Sequence, residues 1–593
     1  MTGRMAVWND WFYVVAPFLF YLAVVYVLCA MGRSEKKNIL PQFFDRISNS
    51  LNRATGYPGW AMAGALSGLL VLLVAAMGLY WDVAWHVDLG RDELLLNPSH
   101  TMILLGLGGL MYAAAIATTF ASLDKADTGI KYKSLVIPWS AVALFALGLG
   151  GVASFPFDEL WHRAYGIDVT LWSPTHLQLL GGGGFATIAV WMMIAEGARG
   201  YTPTKTGRFI HIMAAGACLM GITIFQGEFE FLVMQFQLAY YPILVMLSAG
   251  FVLVAARIAL GPWGALKTTL FYLGVRGFLI LIVSGALNHT VVGFATYLVP
   301  ALCVEAAAFI VKPENRLKFA LTAGVLLGTF GLAAEIAWMP LSGWLEVTPA
   351  LLPKAVPLAF VAAIAASLIG ARFGRVFDPT DNPEKAVFPM GVIAGATLAV
   401  IAVLAVPLPR QAGDVEATMR LVDRQGDTAR VEVTLDPPNA AENYTVFGVG
   451  SNQGGDDVVS SRLLPTGEEG TYISENAHPL SGDWKTSVAL MRGNEVMAAP
   501  VYLPADPQFG APAVPALDER TEKFAVITDI TLRETLAFNG PVWPSIVAYA
   551  EILFVLVSWI LIFALAEKRI VEGRVDTYEN LRYRAGVPSY SRP

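Results

Sequence analysis

Apolar residues recur along this chain in runs of about 20, the length a helix needs to cross the hydrocarbon of a bilayer. The runs predict spans near residues 11 to 31, 59 to 80, 101 to 122, 134 to 155, 177 to 196, 207 to 226, 233 to 256, 267 to 287, 291 to 311, 317 to 338, 350 to 371, 387 to 407 and 544 to 566. The count is about thirteen. Between the last two runs the pattern changes. Residues 408 to 543 turn polar and carry short alternating runs, Ala429-Arg-Val-Glu-Val-Thr434 and Thr486-Ser-Val-Ala-Leu-Met491. Turn clusters at Asp436-Pro-Pro-Asn439, Gln453-Gly-Gly-Asp-Asp457 and Arg492-Gly-Asn494 separate them. The expected architecture is an all-α polytopic membrane bundle with a β-sandwich inserted before the last span. Its parts are residues 1–58 (first span and basic loop), 59–407 (multi-span domain), 408–543 (sandwich) and 544–593 (last span and basic tail).

Charge orients the bundle. Arg33, Lys36, Lys37, Arg46 and Arg53 follow the first span, and alternation then places Lys125 to Lys133, Arg199 to Arg208, Lys312 to Lys318, Arg372 to Lys385 and the tail from Lys568 on the same side, all basic. The positive-inside rule makes that side cytoplasmic, which puts the N-terminus and the sandwich outside a cell membrane and the C-terminus in the cytoplasm. The first run follows Trp8-Asn-Asp-Trp11 and lacks a basic leader or small-residue cleavage site, so it reads as a retained span. With 55% hydrophobic and 15% charged residues and a mean hydropathy of +0.55, the chain is no ordinary soluble domain. Its net charge of -7 includes no long basic block, which argues against nucleic acid as a partner. Cys29, Cys218 and Cys303 lie in apolar runs and suggest neither disulfides nor a cysteine metal cluster.

The candidate chemistry is a pattern that occurs twice, Asp-x2-Trp-His-x3-Gly-x-Asp-x5-Pro-x-His. Asp82, Trp85, His86, Gly90, Asp92, Pro98 and His100 align with Asp158, Trp161, His162, Gly166, Asp168, Pro174 and His176, and the two copies hold four of the seven histidines. Asp82 and His86, like Asp158 and His162, are four residues apart and share a helical face if the preceding span continues outward. Each later histidine follows a proline suited to the first turn of the next helix. Each copy is thus expected to clamp one ion between two antiparallel helices at the outer face. Asp92 and Asp168 are expected to support a ligand imidazole or cap the loop, with service as further ligands the alternative. The tryptophans alone would suit an interfacial belt. Glu228, Glu230, His289, Glu305 and Glu335 are further polar residues at membrane depth, each expected to face a partner or a cavity and to be available around such a site. For Glu305 and Glu335, hydrogen bonding between helices is the competing expectation. Gly181-Gly-Gly-Gly184 reads as close helix packing.

The first copy, with Asp82-x2-Trp-His86, Arg91-Asp92 and Pro98-Ser-His100, resembles the C subunit of the copper membrane monooxygenases, the particulate methane and ammonia monooxygenase family. That subunit has an Asp-x3-His-x12-His copper triad in the same context. The second copy is similar to its next site, an Asn-x3-His-x13-His triad. The resemblance covers residues 60 to 200. The spacing between His86 and His100 is thirteen residues here, and Asp158 stands where the family has Asn. The resemblance implies copper at Asp82, His86 and His100 and at Asp158, His162 and His176. It also implies O2-dependent oxidation of a small apolar substrate, alone or with other membrane subunits or copies of the chain. Ligand chemistry by itself accepts Zn, Fe or Mn equally. The stretch Pro479-Leu-Ser-Gly-Asp-Trp484 is similar to sandwich domains of copper-handling and oxidase-assembly proteins. A metal site there would have to combine His478 with Met491, Met497 or a carboxylate. The alternative function is a copper-binding membrane protein that transports, stores or delivers the metal.

Overall fold

The computed structural model describes residues 39–89, 97–165, 172–198, 201–231, 234–289, 293–342, 345, 347–378, 390–408, 413–452, 458–505, 511–527 and 543–584, with scattered positions between 19 and 30. The first expected span lies largely outside them. The helices are α1 (Ile39–Thr55), α2 (Gly59–Leu89), α3 (Pro98–Leu123), α4 (Trp139–Tyr165), α5 (Pro174–Gly197), α6 (Lys205–Glu230), α7 (Tyr240–Leu260), α8 (Gly264–Ala286), α9 (Leu298–Ile310), α10 (Arg316–Leu341), α11 (Leu352–Phe377), α12 (Met390–Ala405) and α13 (Trp543–Arg584). Among the described residues, ten helices are long and apolar enough to cross a membrane, namely α2 to α8, α10, α11 and α13. The runs expected as spans at 291–311 and 387–407 form the shorter helices α9 and α12. In the first case Tyr297 takes a left-handed conformation, φ 55°, so α9 starts only at Leu298.

Helices α2 with α3, and α4 with α5, form two extensively packed hairpins. Glycine permits the approach: a Cβ on Gly182 of α5 would lie 2.8 Å from Gly151 Cα of α4, and one on Gly106 of α3 would lie 2.8 Å from Ala75 Cα of α2. The Gly181–Gly184 run thus works as a packing surface, with Gly184 set against Gly221 of α6 in the same way. Helix α13 lies on the second hairpin through Trp559, which packs over Gly150 and Gly181 and donates its indole N–H to the Ala146 carbonyl.

The polar segment forms β3 (Glu416–Gln425), β4 (Thr428–Asp436), β5 (Tyr444–Asn452), β6 (Val458–Pro465), β7 (Thr471–Ser474), β8 (His478–Pro479), β9 (Lys485–Arg492), β10 (Glu495–Tyr502), β11 (Glu519–Lys523) and β12 (Ala525–Val526), after a small β1–β2 hairpin at Ile130–Tyr132 and Leu135–Ile137. Instead of two separate sheets, the strands make one continuous antiparallel sheet in the order β11-β3-β4-β7-β6-β5-β9-β10-β12, with β8 beside β4. The sheet is nearly closed because its two edges, β11 and β12, are consecutive in the chain and meet at the buried Phe524. Alternation supplies the inner face: Ala429, Val431, Val433 and Leu435 of β4 all point into the core. The β9–β10 turn docks on the bundle. Lys354 at the start of α11 donates to Gly493 O, to Asn494 Oδ1 (2.7 Å) and to Gln237 Oε1 (3.2 Å), while Asn494 Nδ2 donates to Val406 O (2.9 Å).

Candidate metal centre

The first motif is built by helix ends. Helix α2 continues past the apolar run to Leu89, which sets Asp82 and His86 one turn apart on one face. Asn97 is the N-cap of α3, and its side chain accepts the backbone N–H of His100 (2.6 Å); Pro98 occupies the first turn, where its missing N–H costs nothing. Ser99 donates to Asp82 Oδ1 at 2.6 Å. His100 Nε2 lies 3.1 Å from Asp82 Oδ1, and His86 Nε2 lies 3.7 Å from Asp82 Oδ2. All three donor groups fall within 4.8 Å of one another.

The second motif repeats this construction. Ser173 caps α5 and accepts from His176 N (3.3 Å), Pro174 follows, and Thr175 donates to Asp158 Oδ1 at 2.5 Å, as Ser99 does to Asp82. His176 Nε2 stands 3.5 Å from Asp158 Oδ1. The His162 side chain, Asp92 and Asp168 lie outside the described residues. His162 itself falls within α4, one turn after Asp158.

An ion about 2.0–2.2 Å from each nitrogen or oxygen donor holds its ligand atoms roughly 3–4 Å apart. The separations of 3.1 Å from His100 to Asp82 Oδ1 and 3.7 Å from His86 to Asp82 Oδ2 fall in that range. One carboxylate with two imidazoles suits a divalent transition metal or copper. The His86 and His100 side chains are 20% and 22% exposed.

The other polar candidates separate into two groups. Glu228 and Glu230, in the last turn of α6, stand beside the motifs. Glu230 pairs with Arg276 of α8 and accepts from Tyr80 of α2 (3.1 Å), while Glu228 accepts the indole N–H of Trp172 and the Phe236 N–H (3.0 Å). The His289 ring packs against Trp85, with centroids 5.9 Å apart. Glu335 and Glu305 instead cap helix starts. Glu335 accepts from Thr296 N (3.1 Å) and Tyr297 N (2.7 Å) ahead of α9. Glu305 accepts from Trp263 N (3.0 Å) and Ala265 N (2.9 Å) and pairs with Arg257 (2.8 Å). Because α6, α7 and α8 alternate in direction, the start of α8 is at the bundle end opposite the motifs, and Glu305 is remote from them.

Tyr80, Ser99, Thr175 and Arg276 were not singled out from sequence. The hydroxyl residues had a signal, since a Ser or Thr stands between Pro and His in both copies. Arg276 and Tyr80 had only their depth in apolar runs. Inside the β domain, His478 is fully buried and both ring nitrogens meet hydroxyls, Nδ1 with Ser451 (2.8 Å) and Nε2 with Ser461 (2.6 Å). Burial pushes its pKa down to about 4. This is a neutral structural imidazole with no nitrogen left for copper.

No protein-family model, curated protein or solved structure matches the chain.

Proposed function

We propose that the protein is a multi-pass membrane oxidoreductase that uses O2 to oxidise a small apolar substrate at copper held by Asp82, His86 and His100, with a second centre at Asp158, His162 and His176. The observation that carries the reading is the convergence of Asp82, His86 and His100 within 4.8 Å, repeated in outline by Asp158 and His176. Copper rather than zinc or iron follows from the resemblance of the paired motifs to the copper membrane monooxygenases. The bundle is read with about thirteen spans, the motifs and β domain outside, and the basic tail in the cytoplasm. Bound copper supplies the one-electron and O2 chemistry. The chain's own residues hold the ligands in place: Ser99 and Thr175 fix the two carboxylates, Asn97 and Ser173 fix the starts of α3 and α5. Apolar helix surface on either side of the hairpins offers entry from the bilayer to a substrate with no polar group of its own.

The partial exposure of the His86 and His100 rings supports a second reading, in which the same ligands receive and pass on copper at the outer surface. Elemental analysis of detergent-purified protein tests both. The expected result is one or two coppers per chain, the first lost in His86→Ala/His100→Ala and the second in His162→Ala/His176→Ala. O2 uptake with small hydrocarbons or ammonia then marks the enzyme, and copper transfer to a chelator without O2 uptake marks the carrier. Zinc or iron in place of copper refutes the copper chemistry, and full metal content in both double variants refutes the sites.

A further inference from the structure

Glu228 and Glu230 are two residues apart on one helical turn, so their side chains leave α6 about 200° apart and serve opposite neighbours. Glu230 turns to the first hairpin. Its Oε2 accepts from Tyr80, two residues before Asp82 on α2, and its other oxygen takes the Arg276 guanidinium. Arg276 also donates to the Tyr80 hydroxyl and lies over the Tyr80 ring, 4.9 Å from its centroid, while its Nε donates to Tyr272 (3.1 Å). All four side chains are buried. An ion pair so deep costs several kcal/mol of desolvation per ion, offset only when the remaining hydrogen bonds are made. Here each of the three guanidinium nitrogens has a partner, and one of these bonds is to the helix that carries Asp82 and His86.

Glu228 turns to the second hairpin. It accepts the indole N–H of Trp172, the residue just before the Ser173 cap of α5, whose ring also packs on Phe236 at 5.0 Å. Its second oxygen takes the Phe236 N–H. Trp172 thereby ties the residue next to the α5 cap to α6, three residues before Thr175 and four before His176.

Resting on the metal reading above, we infer that this turn of α6 is a shared strut that positions both centres, Glu230 through Tyr80 for Asp82/His86/His100 and Glu228 through Trp172 for Asp158 and His176 of the second. These are positioning residues and touch no metal. Removal of groups that orient ligands costs roughly 10- to 100-fold in metal affinity.

Tyr80→Phe removes one hydroxyl and keeps the Glu230–Arg276 pair; Trp172→Phe removes the indole N–H and keeps an aromatic ring. Each is made in full-length protein carrying only one intact centre, the other removed by its paired His→Ala change, and titrated with Cu(II) while the copper electron paramagnetic resonance signal is recorded. Tyr80→Phe is expected to weaken copper about 10-fold at the first centre and change its spectrum, with the second unchanged; Trp172→Phe is expected to do the reverse. A role confined to general stability would lower the melting temperature and leave both spectra alone. That result, or affinities within about twofold of the parent at both centres, overturns the proposal while the metal reading stands. A parent protein that binds no copper overturns the metal reading and the strut with it.

Discussion

His478 gives the β domain a pH dependence whose size follows from its surroundings. The ring is fully buried, sits between the hydroxyls of Ser451 and Ser461, and has its pKa pushed down to about 4 by burial. In the unfolded chain a histidine titrates near 6.5. Between those two values the unfolded state binds a proton that the folded state refuses, so stability is complete above about pH 6.5 and falls as the solution is acidified. The slope is about 1.4 kcal/mol per pH unit, giving roughly 3 kcal/mol by pH 4. For a domain of this size that lowers the melting temperature by about 10 °C. Thermal unfolding in detergent, followed by the β-sheet amide I infrared band to separate it from the helices, measures it. His478→Gln retains a hydrogen-bonding side chain that cannot titrate. Carboxylates contribute equally to parent and variant, so the difference between them isolates the histidine. An acid-induced loss of the same size in both proteins refutes the reasoning.

Ser99→Ala and Thr175→Val delete the hydroxyls that hold Asp82 and Asp158; each is expected to weaken metal at its own centre about 10-fold and spare the other, read by titration of the single-centre proteins. Lys354→Met removes the ammonium shared by Gln237, Gly493 and Asn494. Amide exchange in the β9–β10 turn should then rise by about tenfold or more, equivalent to at least about 1.4 kcal/mol of lost docking; unchanged exchange would show that the Asn494–Val406 bond and the Thr348 hydroxyl, which donates to the Tyr444 carbonyl (3.1 Å), hold the domain without Lys354.

Much of this molecule was legible in the sequence because its signals are periodic. Apolar runs located the ten long helices, and alternation located β4 and β9 at the expected residues, whereas the amphipathic α1, inside the expected basic loop, has no apolar run to announce it. The in-register repeat predicted that Asp82, His86 and His100 meet, which they do. What stayed hidden depends on where the backbone stops. Glu305 and Glu335 announced themselves as carboxylates at depth, yet hydropathy carries no record of which N–H groups they face. The answer lies in Trp263 and Tyr297, whose left-handed conformations end one segment and start the next, exposing a pair of amides to each carboxylate. The closure of the sheet was hidden for a similar reason. It depends on β11 and β12 flanking Phe524, a long-range pairing that no local pattern encodes.

The two hairpins share one assembly rule and differ in their supports. At the start of α3 and α5 a short side chain caps the helix, proline fills a position that has no N–H to satisfy, a hydroxyl residue reaches back to the aspartate, and the histidine in the third position gives its backbone N–H to the cap. That order satisfies the helix start with main-chain and cap groups, which leaves the imidazole free of capping duty. It also sets each aspartate against the positive end of a helix, where a carboxylate is favoured as an anion. Capping and packing thus bring Asp82 together with His86 and His100, and Asp158 together with His176. Beyond that rule the copies diverge: the first leans on Glu230, Arg276 and Tyr80, while the second leans on Glu228 through Trp172 and is backed by α13 through Trp559 and the Trp161–Tyr549 ring contact. One sequence frame, used twice, is therefore held in two unlike surroundings, the first against a buried ion pair and the second against aromatic rings.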